Sequence, residues 1–167
     1  MRRVAICSDT HVPSRANEVP DWVAAELRRA DHAIHAGDFD SRRTYDRIEE
    51  LADGDLTCAR GNMDPATLEA PAAATRVVEG VTFVVTHGTG SPDGWRDRVV
   101  ETARSKTDPE VDPVVVAGHT HEVVDTTVDG IRVLNPGSAT EAAPADRETM
   151  YVATVADGEC TVELLTG

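Results

Sequence analysis

Short apolar runs alternate with amphipathic stretches along the whole chain. Residues 3–8 are apolar and end in polar side chains, which predicts a buried strand. Residues 20–30 open on proline and aspartate and set Trp22, Val23 and Leu27 at helical spacing, so a helix follows. A brief strand at 32–35, stopped by Gly37, leads to a helix over 41–51. That helix has Ser41 or Asp40 as N-cap, with Tyr45, Ile48 and Leu51 on one face. A third strand at 56–59 precedes a long polar loop carrying prolines from 60 to about 71. Runs at 75–78 and 81–86 flank Glu79-Gly80, the signature of a hairpin. Residues 93–105 read as helix, with Trp95, Val99 and Ala103 four apart. Residues 113–117 are nearly all valine, as in a strand covered on both faces. The last third is β-rich: 122–128, the Asp129-Gly130 turn, 131–134, 149–155, the Asp157-Gly158 turn and 159–165. Crossover and hairpin connections in one chain predict two packed sheets with helices outside.

The 167 residues suit one domain, residues 1–167, and a 40% apolar share with 12 glycines excludes disorder as the main state. No apolar run approaches the roughly 18 residues of a membrane span, and charge appears before any signal-like stretch, so the chain is expected in the cytoplasm, away from membranes. Cys7, Cys58 and Cys160 are widely spaced in apolar segments and read as small core residues of a reducing compartment. Charge changes the picture more. Thirty acidic residues face 16 basic ones, a formal charge of −14, and Lys106 is the single lysine. Such an excess repels itself in dilute buffer and is tolerated where molar salt shortens the Debye length to about 3 Å. The expected setting is the cytoplasm of a halophile. No basic stripe offers to replace phosphate counterions, so long nucleic acid is not an expected partner.

Five predicted strands end in polar clusters: Ser8-Asp9-Thr10-His11, His35-Ala36-Gly37-Asp38, Arg60-Gly61-Asn62-Met63-Asp64, Thr86-His87-Gly88 and Gly118-His119-Thr120-His121. All five are expected on one rim, at the carboxyl ends of the strands where α/β sheets bind ligands. Imidazole, carboxylate and one amide, with no thiolate, suit manganese, iron, zinc, nickel or cobalt. Asp9, His11, Asp38, Asn62, His87, His119 and His121 are too many ligands for one ion and about right for two. Asp38, beside Gly37, is the natural bridge. Two ions about 3.5–4 Å apart activate a shared water and clamp a phosphoryl group, so the expected chemistry is phosphoester hydrolysis. His35 reads as a satisfied core or supporting histidine, and His32 as a surface or strand-edge residue.

In the order D-x-H, G-D, G-N-x-D, H-G and G-H-T-H, the chain resembles the calcineurin-like metallophosphoesterase superfamily. Its length and the Asn135-Pro136-Gly137-Ser138 segment resemble the small bacterial and archaeal phosphodiesterase branch, which includes the eukaryotic retromer scaffold subunit. The resemblance implies an α/β (α+β) fold, a four-layer αββα sandwich of two mixed sheets flanked by helices. It implies Asp9, His11, Asp38 and His121 on one ion and Asp38, Asn62, His87 and His119 on the other, with Asp38, Asn62 and His119 acting in catalysis. Manganese is the expected metal, with nickel, cobalt, zinc, iron and magnesium as other candidates. A homodimer is expected from the related small members.

One position departs from larger members, where a histidine stands third in G-N-x-D. Here it is Met63, and a thioether cannot donate a proton. Esters with good leaving groups are the expected substrates, and Asp64 is expected to hold the Gly61-Asn62 loop instead of orienting an acid. The leading reading is a phosphodiesterase for small phosphodiesters, with a hydroxide bridging two ions as nucleophile. A protein-interaction scaffold on the same fold, or a nuclease or cyclic-nucleotide phosphodiesterase, are the alternatives. Asn135-Pro136-Gly137-Ser138 reads either as a turn or as support for the metal rim.

Overall fold

The computed structural model describes residues 1–167. Its strands are β1 (Arg2–Cys7), β2 (His32–His35), β3 (Leu56–Cys58), β4 (Ala73–Val78), β5 (Val81–Thr86), β6 (Val114–Val116), β7 (Val123–Val128), β8 (Ile131–Pro136), β9 (Thr149–Ala156) and β10 (Glu159–Thr166). The helices are α1 (Asp21–Arg29), α2 (Arg42–Leu51) and α3 (Trp95–Lys106). One sheet has the order β10-β9-β1-β2-β3, the other β4-β5-β6-β8-β7. β1, β2 and β3 run parallel, as do β5, β6 and β8. β9 and β10 on one sheet, and β4 and β7 on the other, are antiparallel additions.

Strand alternation builds three apolar layers. Along β1, Val4 and Ile6 point between the sheets, where they meet Phe83 and Val85 of β5 and Val114 and Val116 of β6. Ala5 and Cys7, on the other face of β1, pack against Val23 and Leu27 of α1 and Ile48 of α2. Val84 and Val115 turn outward to Trp95, Val99 and Ala103 of α3. The order of layers is therefore α1/α2, sheet, sheet, α3, the αββα sandwich expected from the sequence.

Local chemistry sets the element ends. Ser41 caps α2, its hydroxyl accepting from the Thr44 amide at 3.1 Å, an interaction worth about 1 kcal/mol. Each of the three hairpin turns, Glu79-Gly80, Asp129-Gly130 and Asp157-Gly158, has two successive residues at positive φ, the twist that two-residue hairpins require. α3 starts two residues later than the spacing predicts, because Gly94 at φ 77° breaks the helix before Trp95. No helix is long and apolar enough to cross a membrane.

Candidate metal centre

The strand-end segments following β1, β2, β3, β5 and β6 converge on one rim. Three histidines there are oriented from behind by acceptors. His11 Nδ1 donates to Asp40 Oδ1 at 2.8 Å, His87 Nδ1 to the Ala36 carbonyl at 2.7 Å, and His121 Nδ1 to the Ala142 carbonyl at 2.8 Å. Each ring therefore turns its Nε2 inward, toward the carboxylate oxygens and the other rings. His121 Nε2 lies 3.2 Å from Asp9 Oδ1 and 3.2 Å from His11 Nε2; His87 Nε2 lies 3.1 Å from Asp38 Oδ2, and His11 Nε2 lies 3.4 Å from it.

Acceptors facing acceptors at these separations repel unless a proton or a metal ion sits between them. Bonds of about 2.0–2.2 Å to one ion set neighbouring ligand atoms roughly 3.0–3.4 Å apart, which is the spacing seen. Asp9 Oδ1 and His87 Nε2 are buried and have no hydrogen-bond donor. Two triads meet the requirement for a divalent ion, Asp9–His11–His121 and Asp9–Asp38–His87, and all their members are buried. The residues present thus form two overlapping candidate clusters that fit a divalent cation.

Asp9 is common to both triads, and Asp38 Oδ2 lies between His11 and His87. The far oxygens are fixed by the protein. Asp9 Oδ2 accepts from Ser8 Oγ at 2.7 Å and the His119 amide at 3.1 Å, while Asp38 Oδ1 accepts from the Met63 amide at 2.8 Å. Burial alone would raise the Asp9 carboxyl, but His11, His121 and His87 outweigh it and hold it well below the usual range. Burial likewise opposes charge on His87, yet the Asp38 and Asp9 carboxylates overcome it and push the ring up to about 9.

Asn62 and His119 stand at the outer lip. His119 Nε2 donates to the Gly90 carbonyl at 2.8 Å, which leaves Nδ1 as a lone pair 3.0 Å from Asn62 Oδ1. This is another pair of facing acceptors, and the His119 ring lies 5.1 Å, centre to centre, from His87. The rim thus gathers all seven residues picked from the sequence, five of them in two buried triads and two on the lip.

Supporting groups complete the rim. Asp64 accepts from the amides of Asp38, Phe39, Asp40 and Gly61 at 2.7–3.0 Å, so one carboxylate ties the β2 loop to the β3 loop. Gly61 is required at that junction, since a side chain there would collide with Asp38. Asn135 Nδ2 donates to the Gly118 carbonyl and Thr120 Oγ1, and Ser138 Oγ donates to the Asp9 carbonyl, so the Asn135–Ser138 segment braces the rim. His35 is fully buried; its Nδ1 accepts from the Gly37 amide and its Nε2 donates to Thr10 Oγ1. His32 is buried rather than exposed, held between Asp55 and Thr57. Asp40 escaped the sequence reading except as a possible cap. Its position two residues after Asp38 was the available signal.

Residues 1–158 match the calcineurin-like phosphoesterase superfamily domain. The chain belongs to that superfamily. A probable metallophosphoesterase of Methanothermobacter thermautotrophicus is 31% identical over 154 residues, 89% of this chain and 84% of that protein. In fold the chain is similar to Vps29 of Chaetomium thermophilum, with a TM-score of 0.81 at 19% identity over 100% of this chain and 97% of the other. It is also similar to an archaeal phosphodiesterase, with a TM-score of 0.72 at 23% identity over 98% and 99% of the two chains. Membership of this superfamily implies phosphoester hydrolysis supported by divalent metal ions, and the rim described above holds the candidate ligands.

Proposed function

We propose that the chain is a phosphodiesterase for small phosphodiesters that works through two divalent ions, manganese being the expected metal. The observation carrying this reading is the pair of buried triads, Asp9–His11–His121 and Asp9–Asp38–His87, with Asp38 Oδ2 between His11 Nε2 at 3.4 Å and His87 Nε2 at 3.1 Å, where a carboxylate shared by two ions would lie. Asp9, His11, Asp38 and His121 would hold one ion, and Asp38, Asn62, His87 and His119 the other. Bound there, the ions would activate a shared water to hydroxide as nucleophile and would supply positive charge for the phosphoryl oxygens.

The protein's own groups do the rest. Asn62 and His119 sit outermost and meet the incoming phosphoryl group, while Asp38, locked by the Met63 amide, keeps its Oδ2 turned inward. A cleft of about 680 Å³ opens beside His119 between residues 92–97 and Thr120, Glu122, Val124 and Pro144. Its size is that of a small-molecule cleft. A groove of about 660 Å³ between the 12–19 segment and α2 contains no ligand residue and has no part in this reading.

Met63 is exposed on the lip and offers no proton to a departing alkoxide. Diesters with acidic leaving alcohols are therefore the better substrates. The test is hydrolysis of bis-p-nitrophenyl phosphate in molar KCl, with and without manganese, for the wild type and Asp38→Asn, with p-nitrophenyl phosphate as the monoester comparison. Metal-dependent turnover of the diester that collapses in Asp38→Asn supports the reading. Metal uptake without turnover of either ester favours a protein-interaction scaffold, the reading to which the fold likeness to Vps29 lends weight.

A further inference from the structure

α3 reaches the metal rim through two side chains at its first turn. Trp95 Nε1 donates to the Gly118 carbonyl at 3.1 Å. Arg98 Nη2 donates to the carbonyls of Gly88 and Ser91 at 2.9 and 2.8 Å, spanning the loop between them. The middle of that loop is Gly90, at φ 130°, and a Cβ there would lie 3.1–3.3 Å from the guanidinium, so the group lies flat against the Gly90 backbone. Gly90 is the residue whose carbonyl accepts from His119 Nε2. The chain of contact runs from Arg98 to Gly90 to His119 and then to Asn62.

We propose that Arg98 is a positioning residue for the half of the metal centre formed by Asn62, His87 and His119. By holding the Gly88 and Ser91 carbonyls it fixes the Gly90 carbonyl, which keeps the proton of His119 on Nε2 and leaves the Nδ1 lone pair facing Asn62 Oδ1. The role suits arginine, because the nitrogen that donates to both carbonyls belongs to a planar guanidinium whose remaining atoms pack against the Gly90 backbone, a contact that a lysine ammonium would not make. Neither His11 nor His121 makes a hydrogen bond to this loop; their ring partners are Asp40 and the Ala142 carbonyl. Arg98 therefore acts chiefly on the ion held by Asn62, His87 and His119, and the inference rests on the two-ion reading given above.

The test is manganese titration by calorimetry on the whole chain in molar KCl, together with ¹⁵N spectra of the histidine rings in the metal-free protein. Arg98→Ala is the main variant and Arg98→Gln the milder one, which keeps part of the stem and an amide NH2 with two N–H donors. Arg104→Ala is the control on the same helix, where the guanidinium holds only the Asp129 carbonyl. The expected result is a 10–100-fold loss of affinity for the second ion in Arg98→Ala, the range seen when groups behind a ligand are removed. A smaller loss is expected in Arg98→Gln, with the first ion much less affected than the second in both. The His119 ring nitrogens should move toward a mixed tautomer in Arg98→Ala only. Equal weakening of both ions, or unchanged His119 ring shifts, overturns the proposal. A wild type that takes up no manganese while its His119 shifts still respond to Arg98 would overturn the two-ion reading and leave the positioning role intact.

Discussion

The Asp40 carboxylate accepts from His11 Nδ1 at 2.8 Å, and the opposite nitrogen of the same ring faces Asp9 and His121. Such a carboxylate fixes the tautomer and raises the basicity of the ligating nitrogen. Asp40→Ala should weaken metal binding about 10–100-fold, and Asp40→Asn by less, since an amide oxygen still accepts. Calorimetric titration with manganese measures both.

Protons compete with metal for the same lone pairs. His87 is raised to about 9 in the metal-free protein, burial being overcome by Asp38 and Asp9, so below that pH the ring carries a proton that an ion must displace. Metal affinity should therefore fall as pH drops from 9, by about tenfold per unit for each proton displaced. Titrations in buffers of different ionisation heats should show proton release at neutral pH.

His35 sets an acid limit on stability. Burial pushes its ring down to about 3, whereas in the unfolded chain it titrates near 6.5. The unfolded form binds the proton more tightly between those values. Stability from this residue is thus complete above about pH 6.5 and declines as pH falls toward 3, by about 1.4 kcal/mol per unit. Denaturant unfolding of the wild type and His35→Gln across that window should give a shallower pH slope for the variant.

The formal charge of −14 predicts that the folded state gains from salt. The thermal midpoint should rise between 0.1 M and 2 M KCl. A flat or falling midpoint would remove the halophilic reading.

Much of this was legible because strands and ligands carry local signatures. β2 and β5 lie where alternation and apolar runs predict, and each metal cluster follows a strand end. The pairing of β9 with β1 was not legible, since Val4 meets Ala153 across nearly the whole chain and nothing local announces the partner. The orienting acceptors behind the histidines were hidden for a related reason. Two of the three are the carbonyls of Ala36 and Ala142, which every residue possesses, and only the third, Asp40, has a side chain to read. His32 was misplaced because a four-residue strand gives no hint that both its faces are covered.

Five of the seven candidate ligand residues, Asp9, His11, Asp38, His119 and His121, have φ between 44° and 74°, the left-handed region that L-residues enter reluctantly. Each such residue costs about 1–3 kcal/mol where the surroundings impose it, though Asp tolerates it better than most. In evolutionary terms the metal rim is a standing load on a marginally stable domain. Glycine at any of these five positions would abolish a ligand and relax the backbone in the same step. A lineage released from selection for hydrolysis would thus find substitutions that silence the centre while firming the fold, and a sandwich freed of its chemistry remains available as a platform for other proteins.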